Sequence, residues 1–214
     1  MSEFANLTSL LREKQAFQVD AVRLPGCTGL DDLTGLPTFD AYQTALRLEW
    51  DWARRLHTSL SLIELSVDNL AAYNDEHGRE TGDALLRHLA QELSTAVRRH
   101  GDDTVARVLG THFAVIWPNT SEAGALSVAR RFRANIKAAN RLHTSDQLTI
   151  RVSIATLRPE HDATWDELEL EALAHRGLAL TEQGEHLVSL SIAGPVHATT
   201  TPESHPSATA RPVS

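Results

Sequence analysis

The chain has 214 residues, 42% of them apolar and 22% charged, with a formal net charge of -8. That length suits one domain plus extensions and can bury a sizeable core. The acidic balance excludes a general nucleic-acid or anionic-membrane binder, and the single cysteine, Cys27, excludes an internal disulfide framework and fits a reducing compartment.

The N-terminal stretch MSEFANLTSLLREKQAF carries charges where a signal peptide needs an apolar core, and no apolar run reaches the length of a membrane span. The protein is therefore expected in the cytoplasm. Phe4, Leu7, Leu10, Leu11 and Phe17 recur at roughly helical spacing, predicting a short helix from Glu3 to about Val19. Such a helix either docks on its own domain or forms a short dimerisation stalk. Leu24-Pro25-Gly26 then marks a linker.

Asp31 to Pro37 reads as a turn-rich lead into a helix from about Thr38 to His57, with Thr38 as N-cap. Leu60 to Val67 is an apolar strand. Asp68 or Asn69 caps a short helix through about Glu76, and Gly78 punctuates. A longer helix is expected from about Thr81 to His100, with Leu85, Leu86, Leu89, Leu93 and Val97 on one face. Thr104 to Pro118, TVARVLGTHFAVIWP, predicts two strands joined at Leu109-Gly110-Thr111-His112, where Gly110 can take a positive φ at low cost.

A helix follows from Ser121 to about Asn140, a strand from Gln147 to Thr156, a helix from Trp165 to Thr181 and a closing strand from His186 to Ile192. The Pro/Ser/Thr-rich segment from Ala193 onward is expected to be a disordered tail. Helices alternate with strands, but a hairpin interrupts them. This order implies an α/β fold with a mixed sheet and helices packed on its faces. The domain divisions expected are 1–29, 30–192 and 193–214.

The eleven histidines show no ligand spacing on a helix with a supporting carboxylate, so no metal site is read from them. Trp50, Trp52, Trp117 and Trp165 are read as packing residues. No nucleophile–base signature or phosphate loop is found.

Four segments together resemble the GGDEF family, the diguanylate cyclase domain of bacterial cyclic-di-GMP signalling. Asp31-Asp32-Leu33-Thr34-Gly35-Leu36 is similar to D-x-L-T-G-L. Ser66-Val67-Asp68, Asn74-Asp75, Gly78 and Gly82-Asp83 are similar to D-x-D…N-D…G…G-D. Arg107-Val108-Leu109-Gly110-Thr111-His112-Phe113 takes the place of R-Y-G-G-D-E-F, and Val152-Ser153-Ile154-Ala155 that of V-S-I-G. The resemblance implies a nucleotidyl-cyclase-like fold and a site in which two carboxylates hold Mg²⁺ against the GTP phosphates. Attack of a 3′-hydroxyl on an α-phosphate builds negative charge that divalent ions neutralise.

The positions implied for those carboxylates hold Ser66 and Thr111, and the neighbouring acidic position holds His112. A hydroxyl brings no charge, and Mg²⁺ is a hard ion that favours carboxylate oxygens. Asp68 survives, but strand alternation is expected to present it differently from Ser66, so it is not expected to substitute. The implied phosphate-gripping cations are also missing: Ala71, Thr181 and Glu185 stand in their places.

Asn74 and Asp83 match the guanine-binding residues, since an Asp can accept from guanine N1–H and N2–H₂. Each has an alternative reading as a helix cap. The product-inhibition motif R-x-x-D has counterparts in Arg99, His100, Asp102 and Asp103, slightly out of phase, and ordinary cations at a helix end explain these equally.

The resulting expectation is a catalytically inactive GGDEF-like domain. It would act as a protein-interaction or regulatory module, or as a sensor of GTP or cyclic-di-GMP, with no cofactor. Expected partners are one of these nucleotides and a protein partner or a second copy, with no nucleic acid and no membrane. About thirty residues precede the region, so input is expected through a partner or the N-terminal helix. The alternatives are an active diguanylate cyclase using Mg²⁺ in a rearranged site, with Asp68 and Glu64, and a GTP-binding domain that uses Asn74 and Asp83 without condensing nucleotides.

Overall fold

Alternating burial along the first strand sets the architecture. In β1, Leu60–Asp68, Ile63, Leu65 and Val67 pack into one apolar cluster, while Leu60 and Leu62 pack into another. A strand buried on both faces needs helices on both sides. The computed structural model, which describes residues 29–97, 103–140, 149–158, 166–181 and 187–192, supplies them.

The helices are α1, Phe39–Leu56; α2, Leu70–His77; α3, Arg79–Val97; α4, Glu122–Asn140; and α5, Glu167–Leu180. The remaining strands are β2, Thr104–Leu109; β3, His112–Pro118; β4, Thr149–Leu157; and β5, Leu187–Ile192. They form one five-stranded sheet in the order β2-β3-β1-β4-β5. β1 pairs antiparallel with β3 and β4, β2 antiparallel with β3, and β4 parallel with β5. The sheet is therefore mixed, as expected.

On one face lie α3 and α4. Leu85, Leu86, Leu89, Leu93 and Val97 recur at helical spacing and, with Ala125, Ala129 and Phe132, cover Ile63, Leu65 and Val67. On the other face, Tyr42, Leu46, Trp50 and Ala53 of α1 and Leu170, Leu173 and Ala174 of α5 cover Leu60 and Leu62. Trp50, Trp52 and Trp117 are buried packing residues, as read from the sequence; Trp165 lies outside the described residues. No described helix is long and apolar enough to cross a membrane.

Several boundaries differ in instructive ways. Thr38 occupies the N-cap of α1 with extended backbone, but its side chain makes no capping bond. Its amide instead donates to the Gly29 carbonyl. Asn69, in the left-handed region at φ 61, precedes α2, also without a side-chain cap. Helix α3 starts at Arg79, two residues earlier than expected, because Gly78 at φ 87 reverses the chain in a single step. Asp83 therefore lies inside α3 and cannot be its N-cap, and Asn74 lies inside α2, so neither cap reading holds.

The hairpin turns where predicted, with Gly110 at φ +53. Its register shifts between Arg107 and Leu109, a bulge that the apolar pattern did not disclose. The N-terminal helix, the linker with Cys27, the C-terminal tail, and the first residues of the expected strand at Gln147 lie outside the described residues.

Candidate functional site

The inner face of β1 changes character along its length. Leu60 and Leu62 are core, and the next residues of the same parity are Glu64, Ser66 and Asp68. These three polar side chains continue one stripe toward the C-terminal end of the strand, and the neighbouring strands add to it. In register with Ser66 stand His112 on β3 and Arg151 on β4. A cavity of about 660 Å³ opens here, lined by Ser66, Asp68, Thr111, His112 and Arg151 with the start of α2. That volume lies within the range of small-molecule sites.

The strongest interaction in the cavity is internal. Arg151 donates from Nε to Asp68 Oδ2 at 2.6 Å and from Nη2 to Oδ1 at 2.8 Å, a fork-to-fork pair. Its Nη1 donates to the Leu178 carbonyl at 3.1 Å, in the last turn of α5. Ser66 Oγ sits 3.5 Å from both Asp68 Oδ1 and His112 Nε2, long contacts that place all three groups together. The sequence expectation that alternation separates Asp68 from Ser66 is thus corrected, because residues two apart in a strand share a face. Burial, with help from His175 and Arg151, holds the His112 pKa below its usual value against the opposing pull of Asp68. The ring is a neutral partner near neutral pH.

Glu64, the other acid named in the rearranged-site alternative, faces α5. Its Oε2 lies 3.4 Å from His175 Nδ1. Burial pushes its pKa up to about 7, although His175 pulls in the opposite direction. Both acids are therefore already engaged with basic side chains.

The residues do not fit the Mg²⁺ that the resemblance implies. Magnesium takes near-octahedral oxygen coordination that includes one or two carboxylates. Ser66 and Thr111 offer hydroxyls, and both oxygens of Asp68 already accept from Arg151. Among the described residues, no group of three or more His, Cys, Asp or Glu side chains could hold a metal ion.

The guanine-binding candidates meet at the α2–α3 junction. A Cβ on Gly82 would overlap the Asn74 side chain, so the amide packs directly on the backbone next to Asp83. Asn74 Oδ1 is buried without a hydrogen-bond partner among the described residues. Asp83 is partly buried. Of the inhibitory-site candidates, Asp103 lies just before β2 and is partly buried, while Arg99, His100 and Asp102 fall outside the described residues. Of the positions implied for phosphate-gripping cations, Ala71 and Thr181 line the cavity. Thr181 Oγ1 is turned back to the Leu178 carbonyl, and Glu185 is not among the described residues.

Asp31 ties the opening loop to the hairpin. It accepts from the Thr34 amide and hydroxyl at 2.9 and 2.7 Å and from Arg107 Nη1 at 2.8 Å. Arg107 Nε also donates to the Gly110 carbonyl at 2.8 Å, which braces the turn that carries Thr111 and His112. Burial alone would raise the Asp31 pKa, but these hydrogen bonds and the Arg107 charge bring it below the usual value.

The profile described as "Diguanylate cyclase, GGDEF domain" matches residues 28–176. The chain belongs to the GGDEF family. It is 29% identical over 166 residues to the probable diguanylate cyclase DgcC of Escherichia coli K12, covering 76% of this chain and 42% of that protein. It is 31% identical over 139 residues to the diguanylate cyclase DosC of the same strain, covering 63% of this chain and 30% of that one. The chain thus spans less than half the length of these curated relatives. Among solved structures, the GGDEF domain of DgcB from Caulobacter crescentus, in complex with c-di-GMP, superposes with a TM-score of 0.64 at 21% identity. That match covers 75% of this chain and 94% of the other, and it shows a shared fold.

Within this GGDEF domain, sequence reasoning missed Arg151. It is the lone charge in the strand TIRVSIATL, and a buried charge in such a strand must find a partner. That signal was present, but only the sheet order named the partner as Asp68.

Proposed function

We propose that this chain is a GGDEF domain of cyclic-di-GMP signalling that does not condense GTP and acts through binding, as a protein-interaction or regulatory module. One observation carries the reading: the two positions implied for metal carboxylates present the hydroxyls of Ser66 and Thr111 to the cavity. Phosphoryl transfer builds charge on the phosphate oxygens, and in this fold little else would neutralise it. Among the described residues that line the cavity, Arg151 is the cation, and its guanidinium is committed to Asp68 and to the end of α5. Purified protein incubated with GTP and Mg²⁺ or Mn²⁺ is expected to yield no cyclic-di-GMP by chromatography. Formation of that product would sink the proposal.

A second reading, a nucleotide sensor, draws on the α2–α3 junction. Asn74 Oδ1, buried against Gly82 and without a hydrogen-bond partner among the described residues, is an available acceptor, and a buried unsatisfied polar group is costly until a partner arrives. Calorimetry with GTP, GDP and cyclic-di-GMP separates the two readings. A pure interaction module shows no heat with any of them, whereas a sensor binds at least one. If guanine is held at this junction, Asp83→Ala abolishes that binding.

A further inference from the structure

We propose that Arg151 is a built-in cation that substitutes for the divalent ion of this site, and that it bars metal from the cavity even when the missing carboxylates are supplied. The inference rests on the reading of an inactive site and adds the residue that enforces it.

Three features support the assignment. The first is register: Ser66, the position implied for a metal carboxylate, lies between His112 on one neighbouring strand and Arg151 on the other. The second is the fork onto Asp68, which engages both oxygens of the carboxylate that lines the cavity. The third is the Leu178 carbonyl, which accepts from the same guanidinium at the C-terminal end of α5, where the helix dipole favours positive charge. Only 14% of the Arg151 side chain is exposed, so water screens the pair weakly.

A guanidinium keeps its charge at all accessible pH values. Unlike a bound metal ion, it cannot dissociate from the chain. A metal approaching Asp68 meets a carboxylate whose two oxygens already accept charge-assisted hydrogen bonds, and it must lie beside the guanidinium that donates them. A carboxylate introduced at position 66 would stand in register with Arg151, and one at position 111 would line the same cavity, so the guanidinium would compete with a metal for their oxygens.

The test uses the full chain and Mn²⁺, followed by loss of the free-ion paramagnetic resonance signal and by calorimetry. The proteins compared are the unaltered chain, S66D/T111E, and S66D/T111E combined with R151T or with R151Q, with circular dichroism confirming the fold of each. R151Q keeps a hydrogen-bonding head and drops the charge, so the comparison survives if R151T does not fold. The unaltered chain is expected to take up no Mn²⁺, and S66D/T111E to bind it weakly. Removal of Arg151 from that background should tighten binding by at least about tenfold, the scale at which neighbouring groups tune metal sites. Equal behaviour of the double and triple variants, whether both bind or neither does, overturns the inference. Cyclic-di-GMP formation by the unaltered chain instead overturns the inactive reading, so the two failures are distinguishable.

Discussion

Glu64→Gln removes a buried ionisation from the interface between β1 and α5. The Glu64 side chain is 13% exposed, with Oε2 3.4 Å from His175 Nδ1. Burial raises its pKa from 4.5 to about 7, His175 opposes the rise, and Glu171 adds to it. An acid with a raised native pKa holds a proton that the unfolded chain has already released. Stability is therefore fully present below about pH 4.5 and falls as the pH rises through the native value.

A tenfold change in proton affinity corresponds to ~1.4 kcal/mol, so the displacement amounts to about 3 kcal/mol when fully expressed. Gln fills nearly the same volume without ionising. Urea denaturation followed by circular dichroism, run on both proteins from about pH 4.5 to 8, isolates the Glu64–His175 contact because titrations elsewhere are common to both. The variant should match the unaltered chain at the acid end and gain roughly 1–3 kcal/mol over it at about pH 8. Parallel stability curves across that window would refute the burial argument for Glu64.

Two further outcomes follow from the hairpin and its brace. Asp31→Asn leaves Arg107 and the Thr34 groups without their shared carboxylate and should cost roughly 1–3 kcal/mol at neutral pH by chemical denaturation. Because the Asp31 pKa is lowered from 3.8, its contribution is present above that value and lost as the pH falls through the native one. A deficit that persists undiminished in strong acid would count against the brace. At the turn, Gly110 has φ +53 and open space around it. Gly110→Ala should therefore lower stability by about 1 kcal/mol through backbone strain alone, with an unchanged denaturant slope. An unaltered midpoint would show that the turn relaxes to another conformation.

The sequence was sufficient for the element order and for much of the packing. Leu85, Leu86, Leu89, Leu93 and Val97 repeat at helical spacing and bury one face of α3, and Gly110 announced the hairpin because few other residues accept its backbone geometry. That Ser66 and Thr111 stand at the positions implied for metal carboxylates was readable from residue identity alone, and a hydroxyl carries no charge. The Val108 bulge and the cap positions were not, because they depend on local hydrogen bonds that several residue types can make. Asn74 and Asp83 read as caps from the sequence, but the span Leu70–His77 places Asn74 inside α2 and the start at Arg79 places Asp83 inside α3.

Tertiary structure decided what the cavity contains. Alternation within a strand says which residues share a face, but not which strand lies alongside or in what register. Asp68 and Arg151 are 83 residues apart in sequence, and nothing local to either requires them to meet. Only the order β2-β3-β1-β4-β5 sets β4 beside β1 and brings Arg151 opposite Ser66. Residue identity puts hydroxyls, at Ser66 and Thr111, where the resemblance implies carboxylates, while strand pairing, a non-local property of the chain, places a fixed positive charge on Asp68.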